Sequence, residues 1–142
     1  MRSVGVATAD LSTISAIPEE VERARRDTMI YHGLLRAGVA SSSLRLMRSN
    51  RKYYPRWHTP VLVLHGSEDK ATHAEGSHRF HAGISARDKT LHIVEAGRHE
   101  LLNDVKRDET LHVILTWLEQ RLPAKPVGEP RTEARARRDR SP

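Results

Sequence analysis

An α/β fold built around two parallel strands is the fold class that the sequence predicts, and two apolar runs followed by helical patterns predict it. The run Val61–Leu64 is continuously apolar and partly β-branched, and Pro60 and Gly66 bound it, which is typical of a strand buried on both faces. The segment "KTLHIVEAG", residues 89–97, predicts a second strand. Because strands and helices alternate from residue 60 onwards, we expect a parallel sheet.

A helix is predicted after each strand. Between residues 74 and 85, Phe80 and Ile84 lie four positions apart, which indicates one helical face. A longer helix is predicted to end at Leu122, because apolar residues before it recur at spacings of three and four. That stripe contains Leu111, Ile114, Leu115, Leu118 and Leu122, and Val113 and Trp117 are expected to flank it.

Helices are also predicted upstream of the first strand. Residues 1–14 show no period and are expected to be irregular. Ser15 is a candidate helix cap, and Pro18 suits the first turn of the helix that follows. A second helix is predicted in residues 39–50, and residues 51–60 are expected to form a connector that packs its aromatic side chains.

The composition describes a single domain with a charged tail. The chain has 142 residues, 37% of them hydrophobic, and 24 basic against 18 acidic side chains give a formal net charge of +6. Half of this excess lies in residues 123–142, which carry six basic and three acidic side chains. Because this segment has too few apolar residues to order itself, we expect a disordered basic tail and no nucleic-acid partner.

The remaining totals exclude several kinds of structure. The chain has no cysteine, which excludes disulfides and thiolate metal sites. No apolar run approaches the roughly 20 residues of a membrane helix, and the N-terminus lacks the apolar centre of a secretory signal. We therefore expect no transmembrane segment and a cytoplasmic location.

An acidic residue and a histidine follow the two predicted strands. Asp69 comes shortly after the first strand, and His99 comes after the second. The loops after the carboxyl ends of parallel strands usually carry the chemistry of such sheets. A carboxylate followed along the chain by a histidine matches the last two members of a Ser–Asp–His triad. Asp69 is the candidate acid, with Glu68 as a weaker candidate for that role, and His99 is the candidate general base.

The residues around both positions resemble the monoacylglycerol lipase and lysophospholipase branch of the α/β-hydrolases, also labelled serine aminopeptidase-like hydrolases. The resemblance lies in Pro60 before the strand, in "HGSED" at 65–69, in the "GS" pair at 76–77 and in "HELLN" at 99–103. Upstream, residues 25–47 resemble the segment that follows the cap in this family. Four positions depart from the family pattern: Thr28, Met29, Arg98 and Asp104.

The resemblance implies a fold, a reaction and two site residues. Residues 15–122 would form the C-terminal portion of a hydrolase domain, with 15–59 as the helical segment after the cap. Residues 60–122 would supply the last two strands of the parallel sheet with their flanking helices, so the sheet is expected to be incomplete. Asp69 would be the triad acid and His99 the base for hydrolysis of a small acyl ester or monoacylglycerol-type lipid. The family uses no metal or organic cofactor.

The nucleophile of this family has no counterpart in the sequence. Its serine lies in a G-x-S-x-G turn far upstream of the acid, and neither Ser41–Ser43 nor Ser67 has that pattern. A general base alone contributes about 10²–10⁴-fold, and each missing oxyanion donor costs about 10²–10³-fold. We therefore expect a hydrolase fragment that is inactive alone, and that self-associates or needs an N-terminal half in trans.

Other interpretations stay open from the sequence. The chain could be a non-catalytic small basic binding protein that uses its arginine-rich tail, or the product of a decayed or truncated hydrolase gene. His73, His78 and His81 have spacings that a zinc site could use, although no zincin motif or cysteine accompanies them, and no metal site is expected. Aromatic and basic residues alternate in 51–57, as in single-strand-binding proteins, but we favour connector packing.

Overall fold

The computed structural model of this protein describes residues 5–7 and 10–123. The predicted tail, residues 123–142, therefore lies outside the described residues apart from Pro123. The strands are β1 (Gly5–Ala7), β2 (Leu35–Arg36), β3 (Val61–Gly66) and β4 (Lys89–Val94), and the α-helices are α1 (Pro18–Arg26), α2 (Ala37–Asn50), α3 (Glu75–Gly83) and α4 (Arg107–Glu119). Short 3₁₀ helices cover Leu11–Thr13, Arg51–Arg56 and Leu101–Asn103.

The two central strands, β3 and β4, form the predicted parallel pair. Their register runs without a shift from Val61 opposite Lys89 to Gly66 opposite Val94. Helix α3 connects them, as parallel pairing requires, so the α/β fold class is confirmed. Because parallel strands in register end at the same edge, the loops after Gly66 and Val94 start side by side.

The segment expected to be an irregular N-terminus contains short regular elements among its described residues. Strand β1 pairs antiparallel with β2, and Asp10 caps a 3₁₀ turn by accepting a hydrogen bond from the Ser12 amide at 3.0 Å. Ile14 then joins Val21 and Ala24 of α1 in a small buried cluster. The N-terminal segment is thus tied to α1 by apolar packing.

Ser15 does not cap α1 as the sequence predicted. The cap position is Ile17, which makes no side-chain capping bond, and Pro18 opens the helix. The Ser15 hydroxyl instead accepts from the Ile17 amide at 3.0 Å and donates to the carbonyl oxygen of Asn103 at 2.7 Å. Ser15 is 1% exposed, and its hydroxyl links the residue before α1 to a distant loop.

The connector before β3 is more ordered than expected. Residues Arg51–Arg56 form a 3₁₀ helix, and Tyr54 and Trp57 meet the ring of Phe80 edge-on, with centroids 5.1 and 5.5 Å apart. Such edge-to-face pairs are favoured by the ring quadrupoles. The connector therefore anchors α3 through its aromatic side chains.

Helix α4 ends at Glu119 and not at the predicted Leu122, and the apolar stripe predicted for it is only partly buried. Thr110 is 1% exposed, whereas Leu115, Leu118 and Leu122 are 54%, 42% and 65% exposed. Val113, Ile114 and Trp117 are half-buried, so the helix turns a neighbouring face towards the strands. Two strands are too narrow to cover the whole apolar surface of a helix, and part of the leucine stripe remains in solvent.

Helix α2 has no buried residue. Its apolar side chains Val39, Leu44, Leu46 and Met47 are 53–61% exposed. Among the described helices, none combines the length and apolar character needed to cross a bilayer.

Candidate active site

Two loops meet beyond the carboxyl ends of the parallel strands. The acid loop, residues 67–74, follows β3, and the histidine loop, residues 95–106, follows β4. The Ser67 amide donates to the carbonyl of Val94 at 3.0 Å, and the Glu68 amide donates to Gly97 at 2.9 Å. The Ala96 amide in turn donates to the Ser67 hydroxyl oxygen at 2.9 Å. These bonds continue the strand pairing into the loops and set the distance between them.

Gly66 allows the loops to approach this closely. A Cβ atom at this position would overlap the carbonyl groups of Gly97 and Arg98, which are backbone atoms that cannot rotate away. The glycine in the "HGSED" motif is therefore required by a backbone-to-backbone contact.

Asp69 is held as a buried carboxylate. One oxygen accepts from the amides of Ala71 and Thr72 at 2.8 and 2.9 Å, and the other accepts from the Thr72 hydroxyl at 2.8 Å. Burial, the largest single influence, acts against ionisation, but the hydrogen bonds from His99, Thr72 and Ala71 together outweigh it and lower the pKa of Asp69 to about 2. Asp69 is therefore ionised at neutral pH.

His99 lies against this carboxylate. Its Nδ1 atom is 2.9 Å from Oδ2 of Asp69, and the exposed fractions of the two side chains are 41% and 4%. Because an ionised carboxylate only accepts hydrogen bonds, Nδ1 must carry the proton. In the neutral imidazole, Nε2 then keeps a free lone pair, which is the state that a general base needs.

His65 is a second histidine at the acid, and sequence reasoning assigned it no role. Its Nε2 lies 2.9 Å from the carbonyl oxygen of Thr72 and 3.3 Å from Oδ2 of Asp69, while its Nδ1 lies 2.8 Å from the Ser77 hydroxyl. His65 lies in the "HGSED" motif and Ser77 lies in the "GS" motif. The presence of both motifs was the sequence signal that could have indicated their contact. His65 joins β3, the acid loop and α3 at one point.

The weaker acid candidate and the serines are placed elsewhere. Glu68 is exposed, and Asp69 makes the contact with His99. Ser67 Oγ accepts from Ala96 and donates to Glu95 at 3.3 Å, so it braces the loops. In residues 5–7 and 10–123, no serine hydroxyl is hydrogen-bonded to His99.

The histidines considered for zinc do not assemble. His73 and His78 are exposed and His81 is half-buried. Across the part of the chain that the structure describes, no group of three or more His, Asp or Glu side chains is arranged to hold a metal ion.

Known proteins resemble this chain in both sequence and fold. Residues 1–106 match the family described as serine aminopeptidase, S33. Monoacylglycerol lipase of Mycolicibacterium smegmatis is 27% identical over 115 residues, which are 81% of this chain and 41% of that protein. Monoglyceride lipase of Rattus norvegicus is 25% identical over 122 residues, or 84% of this chain and 40% of that protein. The chain thus spans about two fifths of the length of these relatives.

Solved structures agree with the sequence match. The monoacylglycerol lipase of Paleococcus ferrophilus superposes with a TM-score of 0.74 at 25% identity, covering 84% of this chain and 47% of that one. A soluble variant of the monoglyceride lipase of Saccharomyces cerevisiae, in complex with a substrate analogue, gives 0.69 at 17% identity over 85% and 44% of the two chains, and at this identity it shows the fold alone. The family match over most of the chain confirms the resemblance, and the chain belongs to the serine aminopeptidase S33 family, among the monoacylglycerol lipase-like α/β-hydrolases.

Proposed function

We propose that this chain supplies the acid and the general base of a serine ester hydrolase that acts on monoacylglycerol-type lipids. The observation that carries the proposal is the 2.9 Å contact between His99 Nδ1 and Asp69 Oδ2. It joins a carboxylate whose pKa is lowered to about 2 to an imidazole whose other nitrogen faces away from that carboxylate.

Each residue has a defined step in this reaction. His99 Nε2 takes the proton of a serine hydroxyl as that oxygen attacks the ester carbonyl carbon, and the Asp69 carboxylate stabilises the imidazolium that forms. The imidazolium then gives its proton to the departing alcohol. In the second half, His99 takes a proton from water as the water oxygen attacks the acyl-serine carbon. The imidazolium then returns that proton to the serine oxygen as the acyl–serine bond breaks and the fatty acid leaves. The sequence of steps needs no metal or organic cofactor.

In this proposal, the serine and the oxyanion donors belong to a segment that pairs with an open edge of the two-stranded β3–β4 sheet. That segment is either another part of the same protein or a separate chain. Two observations support it. Within the described residues each central strand has a single partner, and exposed apolar side chains lie on α2 and on the leucine stripe of α4. A parallel pair of strands normally belongs to a larger covered sheet.

A chimera tests the roles of the two residues. Residues 5–122 replace the matching portion of the Mycolicibacterium smegmatis relative, and hydrolysis of a p-nitrophenyl ester and of a monoacylglycerol is measured. We expect turnover in the chimera, and a loss of at least about 10²-fold for His99→Ala and for Asp69→Asn.

Matched controls sit on α4, away from the site. Asp108→Asn and His112→Ala make the same chemical changes at exposed positions and should keep full turnover. A folded chimera in which Asp69→Asn or His99→Ala remained active would contradict the assigned roles. The isolated chain should show no turnover, and phosphonate-sensitive hydrolysis by it alone would contradict the division between segments.

A further inference from the structure

A second buried carboxylate, Asp104, lies beneath the histidine loop and has no place in the reaction above. It is 2% exposed. Its Oδ1 accepts from the Ala16 amide at 2.7 Å and lies 3.3 Å from the Ser15 hydroxyl oxygen, and its Oδ2 accepts from the Arg98 amide at 2.8 Å. The carboxylate therefore joins the N-terminal segment to the residue just before His99.

The residues on both sides of His99 are tied to that same segment. The Arg98 guanidinium donates to the carbonyl of Ser15 at 2.7 Å, and the Glu100 amide donates to the carbonyl of Ile14 at 2.8 Å. His99 is thus a half-exposed side chain between two anchored backbone units. The position of its ring depends on these anchors as well as on Asp69.

Only a carboxylate satisfies this cluster. The two backbone groups that face Asp104, the amides of Ala16 and Arg98, are both hydrogen-bond donors. The Ser15 hydroxyl has one proton, and it lies closer to the Asn103 carbonyl, at 2.7 Å, than to Oδ1 of Asp104, at 3.3 Å. An asparagine has the same shape, but its NH₂ group would point a donor at a donor whichever way it turned. The identity of the residue, and not its size alone, therefore matters.

We propose that Asp104 is a positioning residue that holds the backbone at Arg98 so that the His99 Nδ1–H stays on Asp69. This inference rests on the proposed function, since it concerns the same imidazole. Asp104 acts through the backbone and touches neither the imidazole nor a substrate. Its loss should leave the chemistry of His99 unchanged but lower the fraction of molecules in which the ring is aligned.

The tautomer of His99 reports this alignment directly. Long-range ¹H–¹⁵N spectra of the full chain distinguish an imidazole protonated at Nδ1 from one protonated at Nε2, and His99→Ala assigns the signal. In the unaltered protein we expect the Nδ1–H form to dominate. Asp104→Asn should lower the ratio of Nδ1–H to Nε2–H forms by about tenfold or more, the scale expected for losing a hydrogen bond to a charged group.

Two further variants keep the test decisive. Asp108→Asn, an exposed carboxylate on α4, should leave the ratio unchanged. Ser15→Ala preserves the charge of Asp104 but removes the hydroxyl contact with it and the bond to the Asn103 carbonyl. It should therefore shift the ratio in the same direction by a smaller factor, and it can be measured even if Asp104→Asn unfolds. An unchanged ratio in folded Asp104→Asn or, if that variant is unfolded, in Ser15→Ala would overturn the proposal.

The outcome is separable from that of the proposed function. The spectra require no ester hydrolysis, so a tautomer shift in Asp104→Asn alongside an inactive chimera would support positioning and contradict the hydrolase role. An active chimera with no tautomer shift in Asp104→Asn would support the hydrolase role and contradict positioning by Asp104.

Discussion

Ionisation of Asp69 should contribute a measurable, pH-dependent part of the stability of this chain. Its pKa lies at about 2 in the folded protein against an ordinary value of 3.8, and each unit corresponds to about 1.4 kcal/mol. The carboxylate therefore stabilises the folded state by about 2–3 kcal/mol at neutral pH. Because the folded pKa is the lower one, this stabilisation is present above pH 4 to 5 and disappears as the pH falls through 2.

Asp69→Asn removes this contribution and leaves a side chain of the same shape. The free energy of unfolding of the original chain and of the variant is measured in urea between pH 2 and pH 7. The difference between the two proteins should be largest at pH 7 and should shrink by about 2 kcal/mol as the pH falls to 2. Asp108→Asn, at an exposed position, is the matched control and should show no comparable narrowing of the difference between pH 7 and pH 2. A constant difference between Asp69→Asn and the original chain across this range would refute the reasoning, because the hydrogen bonds would then not be favouring the ionised form.

Two backbone positions of the site loops give further predictions. Gly66→Ala should lower the free energy of unfolding by about 1–3 kcal/mol, because its Cβ would meet the carbonyls of Gly97 and Arg98. At Gly38 a Cβ would meet nothing within 4 Å, so Gly38→Ala should leave the free energy of unfolding unchanged or raise it. Equal effects of the two substitutions in urea melts would contradict the close approach at Gly66. Ala96 has a φ of 57°, a left-handed conformation that disfavours every residue with a Cβ, so Ala96→Gly should raise the melting temperature and add about 1 kcal/mol. A loss of stability there would mean that the Ala96 methyl packs better than its backbone is strained.

Local patterns in the sequence account for the central elements. The apolar run before Gly66 and the segment from Lys89 are strands, and the helices between and after them follow from spacings of three and four. Asp69 and His99 could be paired beforehand because parallel strands end at one edge of a sheet, which places the following loops side by side. Their family motifs depend on short spacings that survive in sequence, and the family match agrees with them.

Longer-range contacts explain what the patterns missed. The leucine stripe of α4 has the right period for burial, but which part of it is covered depends on the width of the sheet beneath, and a helical period does not contain that width. Ser15 has the chemistry of a helix cap, yet its hydroxyl bonds Asn103, 88 positions away. Arg98 looked only like a departure from a family pattern, and in the structure its guanidinium anchors the histidine loop to Ser15.

The sequence by itself thus determined the order of strands and helices, the acidic residue and the histidine that follow the strands, and the family to which the chain belongs, because these are properties of neighbouring residues. Only the tertiary structure decided the Nδ1–H tautomer of His99, the contact of His65 with the acid, and the burial of Asp104 among donors. Each of these depends on hydrogen bonds between groups that the chain brings together from separate segments, and on the exclusion of water that comes with them.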